Sequence, residues 1–396
     1  MNALPALEGG ISVRDRCLPY GQQWINDDDV QAVIEVLRSD WLTTGPTVEA
    51  FEERFADWVD AWFAVAVSNG TAALHAAAFA AGIGPGDEVI TTPMTFAASA
   101  NCILYMGARP VFADVLPDTL NIDPARVEAL ISPKTRALVV VDYTGLPCDL
   151  AELQDIARRH NLVLIEDSAH ALGATYRGAR IGTEADLTTF SLHPVKHITT
   201  GEGGVITTDN PESARRMKAF RNHGITTSAR EREAQGAWFY EMAYLGYNYR
   251  LTDLQCALGL SQMSRLDEFL QRRREIADRY DRELAALPLT LPARLPDRES
   301  AWHLYAVRLD LKALRADRKQ VFAALRAENI GVNVHYIPVY WHPYYRDTLG
   351  YARGLCTVAE AEYDRLLSLP IFPKMTDRDA SDVVEALHKV LTYYGR

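Results

Sequence analysis

The chain lacks the sequence features that mark redox, secreted and membrane proteins. Its cysteines are Cys17, Cys102, Cys148, Cys256 and Cys356. No two of them form a CxxC pair, and an odd, scattered set is typical of reduced thiols in the cytoplasm. No apolar run approaches the length of a membrane span, and residues 1–16 contain no basic stretch followed by an apolar core. We therefore expect a cytoplasmic protein without a signal peptide.

The chain also has fewer basic than acidic residues. The 41 Lys and Arg residues are outnumbered by 52 Asp and Glu residues, which gives a formal net charge of -11. Nucleic-acid binding needs a basic face, so we do not expect it, although a local basic pocket for a phosphorylated small molecule stays open. With 396 residues, 48% of them hydrophobic, the chain is long enough for one large and one smaller domain.

Common nucleotide and metal motifs are missing as well. No Walker GxxxxGK[ST] sequence occurs, and the glycines of GIGPGD precede a predicted strand instead of opening a helix. His193 and His197 are close in sequence, but Pro194 lies between them and no HExxH acid is near. We therefore expect no metal site.

What the chain does contain is an alternation of predicted strands and helices. Apolar runs such as WFAVAVS, DEVITT, RPVFADV, ALVVVDY and LVLIEDS predict strands, with helical patterns between them. Repeated βα units predict a mostly parallel sheet covered by helices on both faces, an α/β fold. From Thr252 the pattern predicts one long helix, and a proline-rich stretch near residue 290 begins a new unit. We predict an N-terminal segment and large domain at 1–250, a linking helix at 251–289 and a small C-terminal domain at 290–396.

Two stretches carry residues suited to chemistry. LTTFSLHPVKHITTGEGGVITT places Lys196 between two predicted strands, beside glycines that allow close backbone approach. Most lysines are solvated on the surface, and for Lys196 alone that alternative stays open. The predicted strand NLVLIED ends at Asp167, where open α/β sheets bind ligands. Pyridoxal 5'-phosphate (PLP) requires a lysine for its Schiff base and a carboxylate facing its pyridine nitrogen, so we expect this cofactor.

The junction VSNGTAAL predicts a phosphate site. It puts Gly70 and Thr71 at a helix start, where free amides and the positive end of the helix dipole attract anions, although ordinary helix capping would use the same residues. The stretches WLTTGP and HYIPVYWHPYY combine aromatic and polar groups and are candidates for loops that face a ligand. For WLTTGP, a plain connector is the commoner alternative.

Taken together, these segments resemble the DegT-type sugar-nucleotide aminotransferases over nearly the whole chain. The motifs that carry the resemblance are SNGTAALHAA, TTPMTFAASAN, VDYTGLPCD, EDSAHALGA, FSLHPVKHITTGEGG, LGYNYRLTDLQ and VHYIPVY. The resemblance implies the aspartate-aminotransferase fold (PLP fold type I), with a large domain on a mostly parallel seven-stranded sheet and a smaller C-terminal α/β domain. It also implies a homodimer with shared active sites.

Within the family, HPVK followed by ITTGEGG is most similar to the transaminases of pseudaminic acid biosynthesis. This similarity implies transfer of an amino group from L-glutamate to C4 of UDP-2-acetamido-2,6-dideoxy-beta-L-arabino-hex-4-ulose, giving UDP-4-amino-4,6-dideoxy-N-acetyl-beta-L-altrosamine. An aminotransferase for another nucleotide-linked 4-keto-6-deoxy sugar is one alternative. A sugar 3-dehydratase is another, but those enzymes replace the lysine by histidine. A third is a non-catalytic regulatory or binding protein of the same fold, against which the retained lysine and aspartate argue.

The resemblance assigns roles to particular residues. Lys196 would form the Schiff base and then move protons as a general acid and base. Asp167 would pair with the pyridinium nitrogen. Gly70, Thr71 and Ser191 would hold the phosphate of the cofactor.

Further contacts are implied on both sides of the cofactor. Phe96 would stack on its ring, His170 would sit by its phenolic oxygen, and Asn248 would reach the phosphate of the neighbouring subunit. For the sugar nucleotide the implied residues are Tyr20, Trp41, Leu42, Thr43, His335 and Tyr336. One departure from the family pattern is His197, because relatives often have proline there.

Overall fold

The computed structural model describes residues 4–227, 229–234 and 236–396. Its strands are β1 Phe63–Val67, β2 Glu88–Thr91, β3 Arg109–Phe112, β4 Thr135–Val141, β5 Val163–Asp167, β6 Thr175–Tyr176, β7 Ala179–Arg180, β8 Leu187–Ser191, β9 Gly204–Thr208, β10 Leu289–Thr290, β11 Arg298–Glu299, β12 Tyr305–Leu309 and β13 Leu366–Leu369. Its α-helices are α1 Asp27–Leu37, α2 Pro46–Trp58, α3 Gly70–Ala80, α4 Ala98–Tyr105, α5 Pro124–Ala129, α6 Leu150–His160, α7 Pro211–Phe220, α8 Ala229–Ala234, α9 Asp253–Met263, α10 Leu266–Leu284, α11 Arg318–Ala327, α12 Thr357–Tyr363 and α13 Asp377–Tyr394.

The main sheet has seven strands among the described residues, in the order β1-β9-β8-β5-β4-β2-β3. The pairs β2–β3, β2–β4, β4–β5 and β5–β8 are parallel, whereas β9 runs antiparallel to both of its neighbours. The predicted mostly parallel seven-stranded sheet is therefore confirmed. Its parallel strands bring their carboxyl ends to one edge, which is where open α/β sheets bind ligands.

Alternate residues of the central strands pack against helices on opposite faces of the sheet. Leu138 and Leu164 belong to a core that also contains residues of α2 and α6. Val139 and Ile165, each one position further along, belong to a second core with residues of α3 and α4. Because successive side chains of a strand point to opposite faces, a strand buried on both faces must be apolar throughout. This explains the apolar runs at residues 137–141 of β4 and 163–165 of β5.

A separate core forms in the C-terminal part of the chain. It joins the inner face of α10 from Ile276 onward to α11, α13 and the sheet β10-β12-β13. Leu18, far upstream in the sequence, packs into the same core. The N-terminal segment therefore crosses over to the C-terminal unit before the chain enters the main sheet.

The segment after Thr252 is divided, where the sequence predicts one long helix. A capping box starts α9, because the Thr252 side chain accepts from the amide of Gln255 and the Gln255 side chain accepts from the amide of Thr252. Ser264 and Arg265 separate α9 from α10. The Ser264 hydroxyl donates to the carbonyl of Ser261 at 2.6 Å, and Arg265 reaches Asp29 of α1. The bond from Ser264 to the backbone of its own turn competes with the helical ladder, which periodicity alone does not reveal.

Membrane-spanning helices were searched for across the described residues. No helix in this part of the chain combines the length and the apolar character needed to cross a bilayer.

Candidate active site

A cavity of about 840 Å³ opens at the carboxyl ends of β4, β5 and β8. The main sheet and the start of α3 form one side of it, and the segments around His303 and His335 form the other. The predicted site residues that line this cavity are Tyr20, Gly70, Thr71, Phe96, Asp167, His170, Ser191, Lys196, His335 and Tyr336.

Lys196 lies in the turn between β8 and β9, as its sequence position predicts. Its amide donates to the carbonyl of His193 at 2.8 Å, which closes the turn. Its Nζ atom lies 3.5 Å from Nε2 of His303. Burial lowers the pKa of the amine to about 8, although the nearby negative charge of Asp167 opposes that change. The amine is therefore closer to its nucleophilic, uncharged form than a surface lysine is.

Asp167 is the last residue of β5 and is buried at the floor of the cavity. The hydroxyl of Ser99, on α4, donates to Oδ2 at 2.6 Å, and the amide of Ala169 donates to Oδ1 at 3.2 Å. Burial raises the pKa of the carboxyl, whereas these hydrogen bonds and the charge of Lys196 lower it. The carboxylate is thus fixed in orientation and partly desolvated, which suits it to hold a single cationic partner.

The start of α3, for which the sequence predicts a phosphate site, lies at the cavity. The Asn69 side chain caps the amide of Ala72 at 2.8 Å, beyond the first two amides of the helix. Those two belong to Gly70 and Thr71, and the first amides of a helix have no partner within it. A Cβ atom at Gly70 would lie 3.0 Å from Cβ of Ser191, so only glycine leaves this corner open. At Gly204 a Cβ atom would overlap the carbonyl oxygen of Asn69.

His170 and Tyr336 close one wall of the cavity. Nε2 of His170 lies 3.1 Å from the Tyr336 hydroxyl, and the two rings stack at 5.9 Å. Burial holds the pKa of His170 well below its usual value, so the ring is neutral near pH 7. Its Nδ1 atom is buried without a hydrogen-bond partner among the described residues. Phe96, 61% exposed, faces Tyr336 at 6.2 Å between ring centroids.

His303 is a cavity residue that the sequence does not predict. It is buried, it contacts Lys196, and its ring lies 4.4 Å from that of His170. In the sequence it falls within WHLYAVRLD, which reads as a strand, and it follows Lys196 by 107 residues. No local signal connects the two residues, because the contact arises only when the segment before β12 folds over the main sheet.

The predicted sugar contacts, together with Asn248, the predicted contact to the cofactor phosphate of the neighbouring subunit, divide into two groups. Tyr20 lies beside His335 at 5.2 Å between ring centroids, and both line the cavity with Tyr336. Four of the predicted contacts do not line the cavity that the described residues of one chain form: Trp41, Leu42, Thr43 and Asn248. Their backbones are tied elsewhere: the Leu42 carbonyl accepts from the amide of Asp253, and Asn248 pairs with Asn222. Their roles stay predictions.

The arrangement fits PLP. A buried amine can be linked to its aldehyde, a buried carboxylate can face its ring nitrogen, and a glycine-lined helix start can hold its phosphate. The Nδ1 atom of His170, a residue of the cavity wall, is a buried polar group without a partner among the described residues. These contacts come from separate strands and helices, so they depend on the fold and not on one motif.

Comparison with known proteins identifies similar chains. The model of the DegT/DnrJ/EryC1/StrS aminotransferase family matches residues 23–388. The spore coat polysaccharide biosynthesis protein SpsC of Bacillus subtilis is 44% identical over 384 residues, which cover 96% of this chain and 99% of that protein.

Solved structures also resemble this chain over almost its whole length. The PMP form of Spr1654, a proposed sugar aminotransferase of Streptococcus pneumoniae, has a TM-score of 0.90 and 32% identity, covering 95% of this chain and 100% of that one. PseC of Helicobacter pylori, an aminotransferase involved in the biosynthesis of pseudaminic acid, has a TM-score of 0.89 and 32% identity, covering 96% and 100%. The predicted aminotransferase fold, PLP fold type I, is confirmed.

Proposed function

Because the chain belongs to the DegT/DnrJ/EryC1/StrS aminotransferase family, whose cofactor is PLP, we propose that it aminates a nucleotide-linked ketosugar. The observation that carries this proposal is the meeting of the buried Lys196 amine, the buried Asp167 carboxylate and the start of α3 in one cavity. PLP, when bound, supplies the carbonyl that takes up the amino group and the ring that withdraws electrons from the reacting carbon.

In this proposal each side chain has a separate task. Lys196 would hold the cofactor and would accept and donate a proton at its Nζ atom, for which a pKa of about 8 is well placed. Asp167, fixed by Ser99, keeps the ring nitrogen protonated. Gly70 and Thr71 bind the phosphate through their amides. Tyr336 and His170 exclude water from the opposite wall.

The substrate that we propose is UDP-2-acetamido-2,6-dideoxy-beta-L-arabino-hex-4-ulose, aminated at C4 with L-glutamate as donor. Its support is the similarity to PseC along almost the whole chain together with the HPVK and ITTGEGG motifs. The greater identity to SpsC, a spore coat polysaccharide protein, favours surface glycans in general. An aminotransferase for another nucleotide-linked 4-keto-6-deoxy sugar is therefore the second candidate.

We also propose a cytoplasmic homodimer in which Asn248 completes the site of the neighbouring subunit. Its support is a set of large apolar side chains that a single chain leaves exposed in residues 41–42 and 238–245. These side chains are Trp41, Leu42, Trp238, Phe239, Met242 and Leu245. Large exposed apolar patches are typical of interfaces, and Asn248, also exposed, lies in sequence just beyond them.

A substrate panel tests the proposal. The purified chain is incubated with PLP, L-glutamate and either UDP- or dTDP-linked 4-ketosugars, and amino sugars are detected by mass spectrometry. We expect amination of the UDP-linked L-arabino ketosugar, and a matched Lys196→Ala chain should give none. Amination only of another ketosugar would replace the proposed substrate with that sugar. Absence of amination on every ketosugar, with PLP bound, would overturn the proposed reaction.

A further inference from the structure

Arg273 is a buried cation that the proposed reaction does not use. It lies on α10 and has 0% of its surface exposed. Its Nη1 atom donates to the carbonyls of Ile371 at 2.9 Å, Trp302 at 3.1 Å and His303 at 3.3 Å. Its Nη2 atom lies 3.5 Å from the carbonyl of Lys196. Burying a charge is costly unless its polar contacts compensate. We therefore expect the buried guanidinium to have a role other than filling space in the core.

The carbonyls around Arg273 belong to two places in the fold, the turn after β8 and the neighbouring ends of the paired strands β12 and β13. Lys196 follows β8 of the main sheet, His303 precedes β12, and Ile371 follows β13. The planar fork of arginine offers several N–H donors in fixed directions, so it can hold such segments at a defined separation. His197 adds a second connection between the first two segments, since its Nε2 atom lies 3.0 Å from the carbonyl of Ala301. This contact gives a role to the family departure at that position.

We propose that Arg273 is a positioning residue for Lys196: it clamps the backbone of the lysine to the segment of His303, so that amine and imidazole face each other across the cavity. The inference rests on the proposed role of Lys196 in holding PLP. Arg273 contacts the backbone carbonyl of Lys196, so the amine of the lysine side chain stays available for the cofactor. The 3.5 Å separation of Nζ and Nε2 is the distance that this clamp maintains.

The charge of Arg273 also acts on the amine. It lowers the pKa of Lys196, whereas the charge of Asp167 raises it. The other titratable groups that face this amine are His170, His197, His303 and His335. Burial lowers the pKa of all four imidazoles, so near pH 7 they contribute no charge. Loss of the guanidinium should therefore have an electrostatic effect that loss of packing alone does not have.

The test compares full-length Arg273→Met, Arg273→Lys and Arg272→Met chains. Arg272 is a matched control, because it is the neighbouring arginine on α10. Its guanidinium also donates to a backbone carbonyl of the C-terminal unit, that of Met375 at 2.9 Å, but it does not contact Lys196. Each protein is freed of cofactor and mixed with PLP, and the visible absorbance of the lysine-bound cofactor is followed over a range of pH. Circular dichroism verifies that each chain is folded.

We expect Arg273→Met to slow attachment about a hundred-fold, as a misplaced reacting group does, and to move the midpoint of the pH profile upward. Arg273→Lys keeps the charge but loses the fork, so it should slow attachment with the midpoint unchanged. Arg272→Met should match the parent in both. If Arg273→Met fails to fold, Arg273→Lys decides the matter, since attachment at the parent rate in that chain would overturn the clamp. Failure of the parent itself to bind PLP through Lys196 would instead contradict the proposed function.

Discussion

At the scale of single residues, Lys196 is the side chain on which the proposed chemistry depends. Replacing it with alanine should abolish the visible absorbance of the lysine-bound cofactor and all turnover, because no other described amine lines the cavity. The fold should persist, since the change shortens one side chain at a cavity wall. Lys218→Ala is the control, because that lysine is half-exposed, contacts Glu52 of α2 and does not line the cavity. Absorbance and turnover near the parent level in Lys196→Ala would exclude this mechanism.

Substitutions at Asp167 and Ser99 distinguish the contribution of the carboxylate charge from that of the hydrogen bond that orients it. Asp167→Asn keeps the shape of the side chain but removes the charge that keeps the ring nitrogen protonated, so turnover should fall by about a hundred- to a thousand-fold while cofactor stays bound. Ser99→Ala removes the 2.6 Å hydrogen bond and keeps the charge. Its loss should be nearer ten-fold, on the order of 1.5 kcal/mol. Turnover measured for both variants checks the order, and an unaffected Asp167→Asn chain would show that another group faces the nitrogen.

The ionisation of Lys196 predicts a pH dependence for cofactor attachment. Burial lowers the pKa of the amine to about 8, so the uncharged form increases as the pH rises through that value. The rate of PLP attachment to the cofactor-free protein should rise over this range and then level off. Asp167→Asn removes the charge that raises the amine pKa, so its midpoint should move to lower pH. Stopped-flow absorbance measures both curves, and a midpoint near 10 would show that the amine is solvated.

At the scale of elements, the start of α3 depends on the close approach of β9. A Cβ atom at Gly204 would overlap the carbonyl of Asn69, the residue that caps α3. Gly204→Ala should therefore displace the helix start and raise the dissociation constant of PLP about ten-fold, a loss of roughly 1.4 kcal/mol. Overpacking should also destabilise the fold by about 1–3 kcal/mol.

The control for this prediction is Gly84→Ala. A Cβ atom at Gly84 would have no neighbour within 4 Å, so neither PLP affinity nor stability should change appreciably. Fluorescence titration with PLP measures affinity, and thermal unfolding measures stability. If Gly204→Ala loses stability but binds PLP as the parent does, β9 supports the fold without shaping the proposed phosphate site.

At the scale of the whole molecule, the proposed dimer makes each site depend on two chains. Lys196→Ala and Asn248→Ala homodimers should both be nearly inactive. Mixing them should form heterodimers in which one site lacks both groups and the other is intact, because the two-fold axis exchanges the residues. With random subunit exchange, about a quarter of the parent activity should return. Light scattering verifies that the mixture is dimeric, and capture of one variant through an affinity tag, followed by detection of the other variant, verifies the heterodimer. Confirmed heterodimers that regain no activity, or an active monomer, would contradict the shared site.

The sequence by itself determined those features that depend on local patterns. Apolar runs predicted β4 and β5, the glycine-bearing junction predicted the start of α3, and strand ends placed Lys196 and Asp167 at the same sheet edge. These inferences hold because strand burial, helix dipoles and parallel sheet geometry act over a few residues or one sheet.

Only the tertiary structure decided which distant residues meet at the site. His303 reaches Lys196 from the segment before β12, and Arg273 reaches it from α10, although neither residue stands in a recognisable motif. Ser99 of α4 does lie in the TTPMTFAASAN motif, but its hydrogen bond to Asp167 is visible only in the structure. The periodicity did not show the break between α9 and α10 either, and at this break Arg265 pairs with Asp29 of α1. The physical reason is that burial and side-chain bonding depend on spatial neighbours, whereas the periodicity of a segment records only which of its faces is apolar.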